Sequence, residues 1–479
     1  MSTTPVAPER LRLKTKLAYG LGTGGEILIL FTVSTFALLY YNQVRGLPAH
    51  LAGLALSLSL IFDAVMDPIV GSLSDRTRSR LGRRHLYMFI APFPIALTFA
   101  AIFHPPTGLS QTALFWWFAG SVMLLRPAMA FFHTPHLALG GELSPNYTER
   151  SKVMAYNSFF TWGGAALTNW VALTYFFKAT PQYPRGLLNP QPYSPYALTM
   201  ASVALASMLA SAWFTRDRIP FLPQPGPQTL RFSPLRFFKD FAVAFGNRNY
   251  VWLLGGYLML TLSTGVRQGL HLYTNTYYWQ LTSDQLRWFI IATFFGYAIA
   301  FYSTPKIHAR FDKRNTMIVA GILFATLPMI PIALGLMGVI DTHTPGLMWI
   351  LSFFSGTSFI FASVLTISLM SSIADIADEN EVKNGVRQEG MFYSAIALFA
   401  KIDGAVGAAI VGVILSLISF PEKAKIVALP HATVVNLAVW DGLIATIPGV
   451  LATLFYARYR ITKASHAAMR DVIAARRQV

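Results

Sequence analysis

Twelve separated apolar stretches run along this chain, at about 17–42, 47–73, 85–104, 112–138, 151–177, 194–214, 249–278, 287–304, 315–338, 346–373, 390–419 and 432–457. Each is long enough, as a helix, to cross the roughly 30 Å hydrocarbon core of a bilayer. Inside lipid every backbone N–H and C=O must be paired within the protein, so only helices and closed barrels span a membrane. Stretches of this length are helices, and the expected fold is an all-α membrane protein of twelve transmembrane helices. Only 12% of the residues are charged, about half the share of a soluble domain.

The net charge of +17 raises the question of nucleic acid, and its distribution answers it. With a cytoplasmic N-terminus, 29 of the 38 Lys and Arg fall in cytoplasmic segments, six in outer loops (Arg45, Lys178, Arg185, Arg287, Lys423, Lys425) and three inside helices (Arg126, Arg267, Lys401). That asymmetry predicts both termini in the cytoplasm; anionic lipid, not nucleic acid, is the expected partner of the basic loops. The first apolar stretch is too long for a cleavable signal peptide and reads as a signal anchor. With no cysteine, thiol catalysis and Cys metal sites are excluded.

The longest polar interruption between helices, 215–248, follows the sixth stretch. It is Pro-rich and then amphipathic, with Phe232, Leu235, Phe238 and Phe241 set against Arg231, Arg236, Lys239 and Asp240, the pattern of a helix lying on the membrane surface. The expected organisation is therefore a six-helix half over 1–214, a cytoplasmic linker over 215–248 and a second six-helix half with a basic tail over 249–479, the two-halved plan of many secondary transporters. The short basic loops after stretches 2 and 8, GSLSDRTRSRLGRR and STPKIHARFDKRN, are a weak echo of such a repeat.

Two acids interrupt the second stretch. Asp63 and Asp67 are four residues apart and share one helix face. A charge at the bilayer centre costs about 2.5–3.5 kcal/mol on insertion scales; a bound cation, a shared proton or a basic neighbour relieves it, the last being a purely structural ion pair. Lys401, within the eleventh stretch, is the candidate counter-charge, although it has Asp403 beside it. Glu26, Arg126, His133, Arg267 and His271 are further intramembrane polar residues that either line a cavity or serve as satisfied packing groups. Tyr277, Tyr278 and Trp279 read as an interfacial aromatic belt. Asp375, Asp378, Glu379 and Glu381 follow the tenth stretch as a solvated loop or as partners of Arg76–Arg84 in a cytoplasmic gate.

Gly20, Gly22 and Gly25 match a dinucleotide-binding spacing but follow no strand, so close helix packing is the better account. His133 and His136 are too few for a metal site. No phosphate-binding loop or nucleophile elbow occurs in a plausible context, and an enzyme is not expected.

The stretch DAVMDPIVGSLSDRTRSRLGRR resembles the helix 2–3 region of the glycoside–pentoside–hexuronide:cation symporter family of the major facilitator superfamily. FFHTPHLALGGELSPNYTERSKVMAYN resembles its helix 4–5 region, DIADENEVKNGVRQEGMFYS its helix 10–11 loop, and Lys401 falls at its helix 11 lysine. The resemblance implies alternating access, with a solute driven by Na+, Li+ or H+ and no other cofactor. It implies a monomer in a bacterial inner membrane, binding a small-molecule or amphiphilic substrate. Asp63 and Asp67 match the family's cation-site acids, with Lys401 near them. His133 stands where the family's best-known member has a sugar-clamping aspartate, Asn157 (or Ser158) at its helix 5 arginine, and Glu26 next to Ile27 at its helix 1 aspartate. Met66 and Ala130 replace two neutral oxygen ligands, which favours a proton over a hard cation. The solute-site candidates are therefore Glu26, His133, Asn157, Arg267 and His271. The gate candidates are Asp75, Arg76, Arg83, Asp375, Asp378, Arg387 and Glu389. The FFHTPH segment also resembles a distant vertebrate branch, the sodium-dependent lysophosphatidylcholine symporters, so a lysophospholipid or other amphiphile is the alternative substrate class.

Overall fold

A computed structural model describes residues 10–144, 146–222, 245–384, 389–425 and 428–478. The described residues are helical or irregular, with no strand among them. Twelve long helical stretches follow one another: α1 Leu13–Arg45, α2 Ala49–Arg76, α3 His85–Ile102, α4 Gln111–Glu142, α5 Tyr147–Val171, α6 Tyr193–Thr215, α7 Arg248–Tyr273, α8 Ser283–Arg310, α9 Lys313–Leu336, α10 Leu347–Asn384, α11 Glu389–Leu417 and α12 His431–Tyr456. A tail helix, α13 Lys463–Gln478, closes the chain.

Ten of the twelve are long and apolar enough to cross a membrane. The two that fall short, α5 and α7, carry Asn157, Thr161 and Asn169, and Arg267, Gln268 and His271, polar groups that membrane helices turn toward protein rather than lipid. The amphipathic segment expected within 215–248 falls largely on residues outside those described.

The chain forms two compact units, Met1–Phe232 with Pro421–Lys423, and Ser233–Phe420 with Ala424–Val479. Within the first, α1 packs on α5 and α6, α2 on α4, and α3 on α4 and α6. Within the second, α7 packs on α11 and α12, α8 on α10, and α9 on α10 and α12. Adding six to each label of the first set reproduces the second, so the two units share one internal topology. Small residues permit the closest approaches. A Cβ on Gly25 of α1 would lie 2.4 Å from Ser207 Oγ and 3.0 Å from the Ala204 carbonyl of α6, the helix packing expected of that glycine-rich segment.

Two expectations change. Asp375, Asp378, Glu379 and Glu381 are not in a loop: α10 continues through them to Asn384. Tyr277 and Trp279 do not form an interfacial belt; they are 1% and 4% exposed, and Tyr277 packs on Tyr273 and Phe420. A π-helical turn over Thr274–Tyr278 extends α7, and the extra residue in such a turn re-aims the side chains that follow it.

Candidate functional site

In the first unit, α2 and α4 bring three charges together. Asp63 of α2 is 8% exposed, and Arg126 Nη1 of α4 lies 3.8 Å from its Oδ2. Asp67 is one turn further along the same face. Each helix has a proline at this depth, Pro68 beside Asp67 and Pro127 beside Arg126. A proline has no N–H to give to the carbonyl four residues earlier, so the Ala64 and Met123 carbonyls lose their usual helical donors next to the charges. Carboxylates on one helix face beside a guanidinium are groups whose charge a proton or a monovalent cation can change. Arg126, placed among the polar groups of its helix by the sequence, is the residue that faces Asp63.

A second cluster joins α1, α4 and α5. His133 Nδ1 of α4 is 2.5 Å from Glu26 Oε1 of α1; the Glu26 side chain is 9% exposed and that of His133 42%. One turn earlier on α1, the Thr23 hydroxyl donates to Asn157 Oδ1 of α5 at 2.6 Å. Residues three apart share a helix face, so α1 presents Thr23 and Glu26 together, with His133 as the accessible member. The set offers an acid, an imidazole, an amide and a hydroxyl, groups that recognise hydroxyl-rich solutes. His136 does something else. It is buried, stacked on Tyr19 with ring centroids 4.3 Å apart, and its Nε2 is 3.0 Å from the Tyr19 carbonyl, which makes it a packing residue.

The remaining candidates lie in the second unit. Arg267 of α7 donates through Nη2 to Thr446 Oγ1 at 2.6 Å and to the Ala325 carbonyl at 3.2 Å. His271, one turn on, has Nδ1 4.0 Å from Asp441 Oδ2 of α12. Lys401 is half-buried on α11, and Asp403, two residues later, faces Thr261 and Tyr257 of α7. Asp441 was missed in the sequence, although an acid inside a 26-residue apolar stretch is the same signal that singled out Asp63.

At the basic ends, the gate candidates find partners within their own units. Arg84 Nη2 is 2.6 Å from Asp75 Oδ1 and 2.8 Å from Glu142 Oε1, and Arg83 Nη2 is 2.8 Å from the same Glu142 oxygen. Lys313 Nζ is 2.7 Å from Asp375 Oδ2; His466 Nε2 of the tail helix is 3.4 Å from Asp375 and 3.0 Å from Asp378. The pairs are equivalent: Arg84 precedes α3 and meets the end of α4, while Lys313 opens α9 and meets α10. Glu142 was not anticipated. Arg76 closes α2; Arg387 and the side chain of Glu389 lie outside the described residues.

The sequence profile of the family described as MFS/sugar transport protein matches residues 18–463. The chain belongs to the major facilitator superfamily, in its glycoside–pentoside–hexuronide:cation symporter family. It is 26% identical to an uncharacterized symporter of Synechocystis sp., over 99% of this chain and 98% of that one. It is 24% identical to an isoprimeverose transporter of Lactiplantibacillus pentosus, over 92% of this chain and 88% of that one. Among solved structures it resembles a D-xylose-proton symporter at 14% identity, with a TM-score of 0.62 and coverage of 93% of this chain and 97% of that one, a likeness of fold. As a member of this family it is a multi-pass integral membrane transporter and not an enzyme.

Proposed function

We propose that this chain is a secondary symporter that moves a glycoside or related sugar-like solute by alternating access, coupled to a monovalent cation or a proton held at Asp63 and Asp67. The observation that carries the coupling site is the pair of acids on one face of α2, set against the Arg126 guanidinium of α4, which lies 3.8 Å from Asp63. Intramembrane charge is costly enough that its usual explanation is function. Glu26, His133 and Asn157, with Arg267 and His271, are the proposed solute-facing groups, and Lys401 the further counter-charge of the coupling acids. Asp75, Arg76, Arg83, Asp375, Asp378, Arg387 and Glu389 are the proposed gate residues. The orientation that fits the basic loops places both termini in the cytoplasm, in a bacterial inner membrane, with the chain acting as a monomer among anionic lipids.

Met66 and Ala130 supply no oxygen side chain where the family's cation site has two, which favours H+. The carbonyl of Ala64, released by Pro68, offers one backbone oxygen in return and keeps Na+ and Li+ chemically reasonable. The deciding experiment needs no solute. Thermal stability of the detergent-purified full chain and of Asp67→Asn is measured across Na+, Li+, K+ and pH, because a ligand of the native state stabilises it by RT ln(1 + [L]/Kd). Stabilisation by Na+ or Li+ over K+ that disappears in Asp67→Asn identifies a metal-cation site. A pH dependence that the variant removes, without an ion effect, identifies proton coupling. Identical responses in the two proteins would refute the assignment.

A further inference from the structure

Asp441 is the only acid in α12, and its environment is unusual. It is 1% exposed, and neither carboxylate oxygen has a hydrogen-bond partner among the described residues. It sits in a π-helical turn, Trp440–Ile444. The facing helix α7 runs into a π-helical turn of its own at Thr274–Tyr278, and the buried Thr274 hydroxyl faces Asp441. Such turns recur at functional sites. One turn before Thr274, His271 brings Nδ1 to 4.0 Å from Asp441 Oδ2, with its own side chain 46% exposed.

The other groups around Asp441 compensate it only at a distance. Arg267 of α7 is engaged by Thr446 and the Ala325 carbonyl and makes no ion pair with Asp441. From α9, Ile332 packs against Gly442, and Ala325 contributes only its carbonyl. Thr446, on α12 itself, donates to the Gly442 carbonyl at 2.6 Å. An ionised carboxylate with no well-formed hydrogen bond on either oxygen is expensive in apolar surroundings. A hard metal cation wants several oxygens, whereas the site offers two from Asp441 and one from Thr274, with the Arg267 charge close by. A proton needs one.

We propose that Asp441 and His271 form a proton relay in the second unit, separate from the acids of α2. In protonation, the Nδ1–H bond of the imidazolium breaks and an O–H bond forms on Asp441 Oδ2, leaving a neutral imidazole. The accessible ring then takes a proton from water. Release is the reverse. The gap of 4.0 Å is too long for a direct hydrogen bond; a small side-chain rotation or one bridging water closes it.

The test is an infrared pH titration of the purified full chain, following the carbonyl stretch of protonated carboxylic acids. Wild type, Asp441→Asn, His271→Gln and Asp63→Asn are compared, each checked for cooperative thermal unfolding. The expected result is a carboxylic-acid band that rises on acidification in wild type and Asp63→Asn and is missing from Asp441→Asn. In His271→Gln the band persists with its midpoint displaced by about one pH unit, the scale of losing a charged neighbour near 4 Å. A titrating band in Asp441→Asn identical to that of wild type overturns the proposal. So does an unchanged midpoint in His271→Gln, which decides the matter alone if Asp441→Asn does not fold. The readout is independent of transport: the absence of any Asp441-dependent band in wild type with ion-dependent stabilisation intact removes this relay alone, whereas an Asp441-dependent band with no Asp67 effect removes only the coupling site of the first unit.

Discussion

Replacing Arg126 by Gln keeps the length and the hydrogen-bonding capacity of the side chain and deletes its charge. At 3.8 Å and an effective dielectric near 20, the attraction to Asp63 is about 4 kcal/mol. The two side chains are 14% and 11% exposed, so water screens a part of this. Removing one member of a buried pair typically costs 3–5 kcal/mol, because the other is left uncompensated, and about 3 kcal/mol is the expected loss. For a unit of this size that is roughly 6–12 °C in unfolding temperature. The assay is thermal unfolding of detergent-purified protein without added Na+, in a cycle with Asp63→Asn. The double variant should be less damaged than the two singles together by about 2–3 kcal/mol, the range of directly coupled neighbours. The variant also removes the positive charge that faces the acids of α2, so Na+ or acid should restore more stability to Arg126→Gln than it adds to wild type. Additive single effects, or a smaller cation response in the variant, would refute the pairing.

Gly25→Val forces atoms into the Ser207 and Ala204 surface of α6 and should cost about 1–3 kcal/mol, as overpacking does; the unfolding temperature reports it, with Gly120→Val, whose Cβ meets nothing within 4 Å, as the control. His133→Ala leaves Glu26 without its imidazole and should weaken solute binding more than ion binding, a ranking that titration calorimetry reads directly once a solute is found. Glu149, at the polar start of α5, is held down to about 2 from 4.5 by the Lys152 and Lys16 ammonium groups. Its folded pKa is depressed, so its contribution is full above about 4.5 and is lost as the pH falls toward 2. Glu149→Gln should therefore reduce stability at neutral pH and flatten the acid limb of a pH–stability curve, and an unchanged acid limb would remove Glu149 from that role.

Length and composition of the apolar stretches were enough to anticipate the helices, because a bilayer imposes one solution on any such segment. Their ends were harder. The tenth stretch was expected to stop at 373, yet α10 runs to Asn384, since acids that leave the lipid remain good helix formers when Lys313, His466 and Asn249 receive them. The acids of α2 announced themselves by their cost in lipid. Their partner did not: sequence spacing links residues on one helix, and Arg126 reaches Asp63 from another. Glu142 was equally hidden, for its significance lies in what faces it, whereas Asp441 was legible by the same cost in lipid as the acids of α2. The π-helical turns left no sequence signal, and they moved Tyr277 and Trp279 inward.

The proposed placing of a coupling ion at the acids of α2 also has an electrical meaning. Whatever else surrounds them, the cluster of α2 and α4 would carry one positive charge more when loaded than when empty. A membrane potential exerts about 2.3 kcal/mol per elementary charge per 100 mV across the full bilayer, so it would act differently on the loaded and the empty cluster. With the inside negative, voltage would then favour inward movement of the loaded form over the empty one, and on the proposed coupling each cycle would carry the charge of one ion inward.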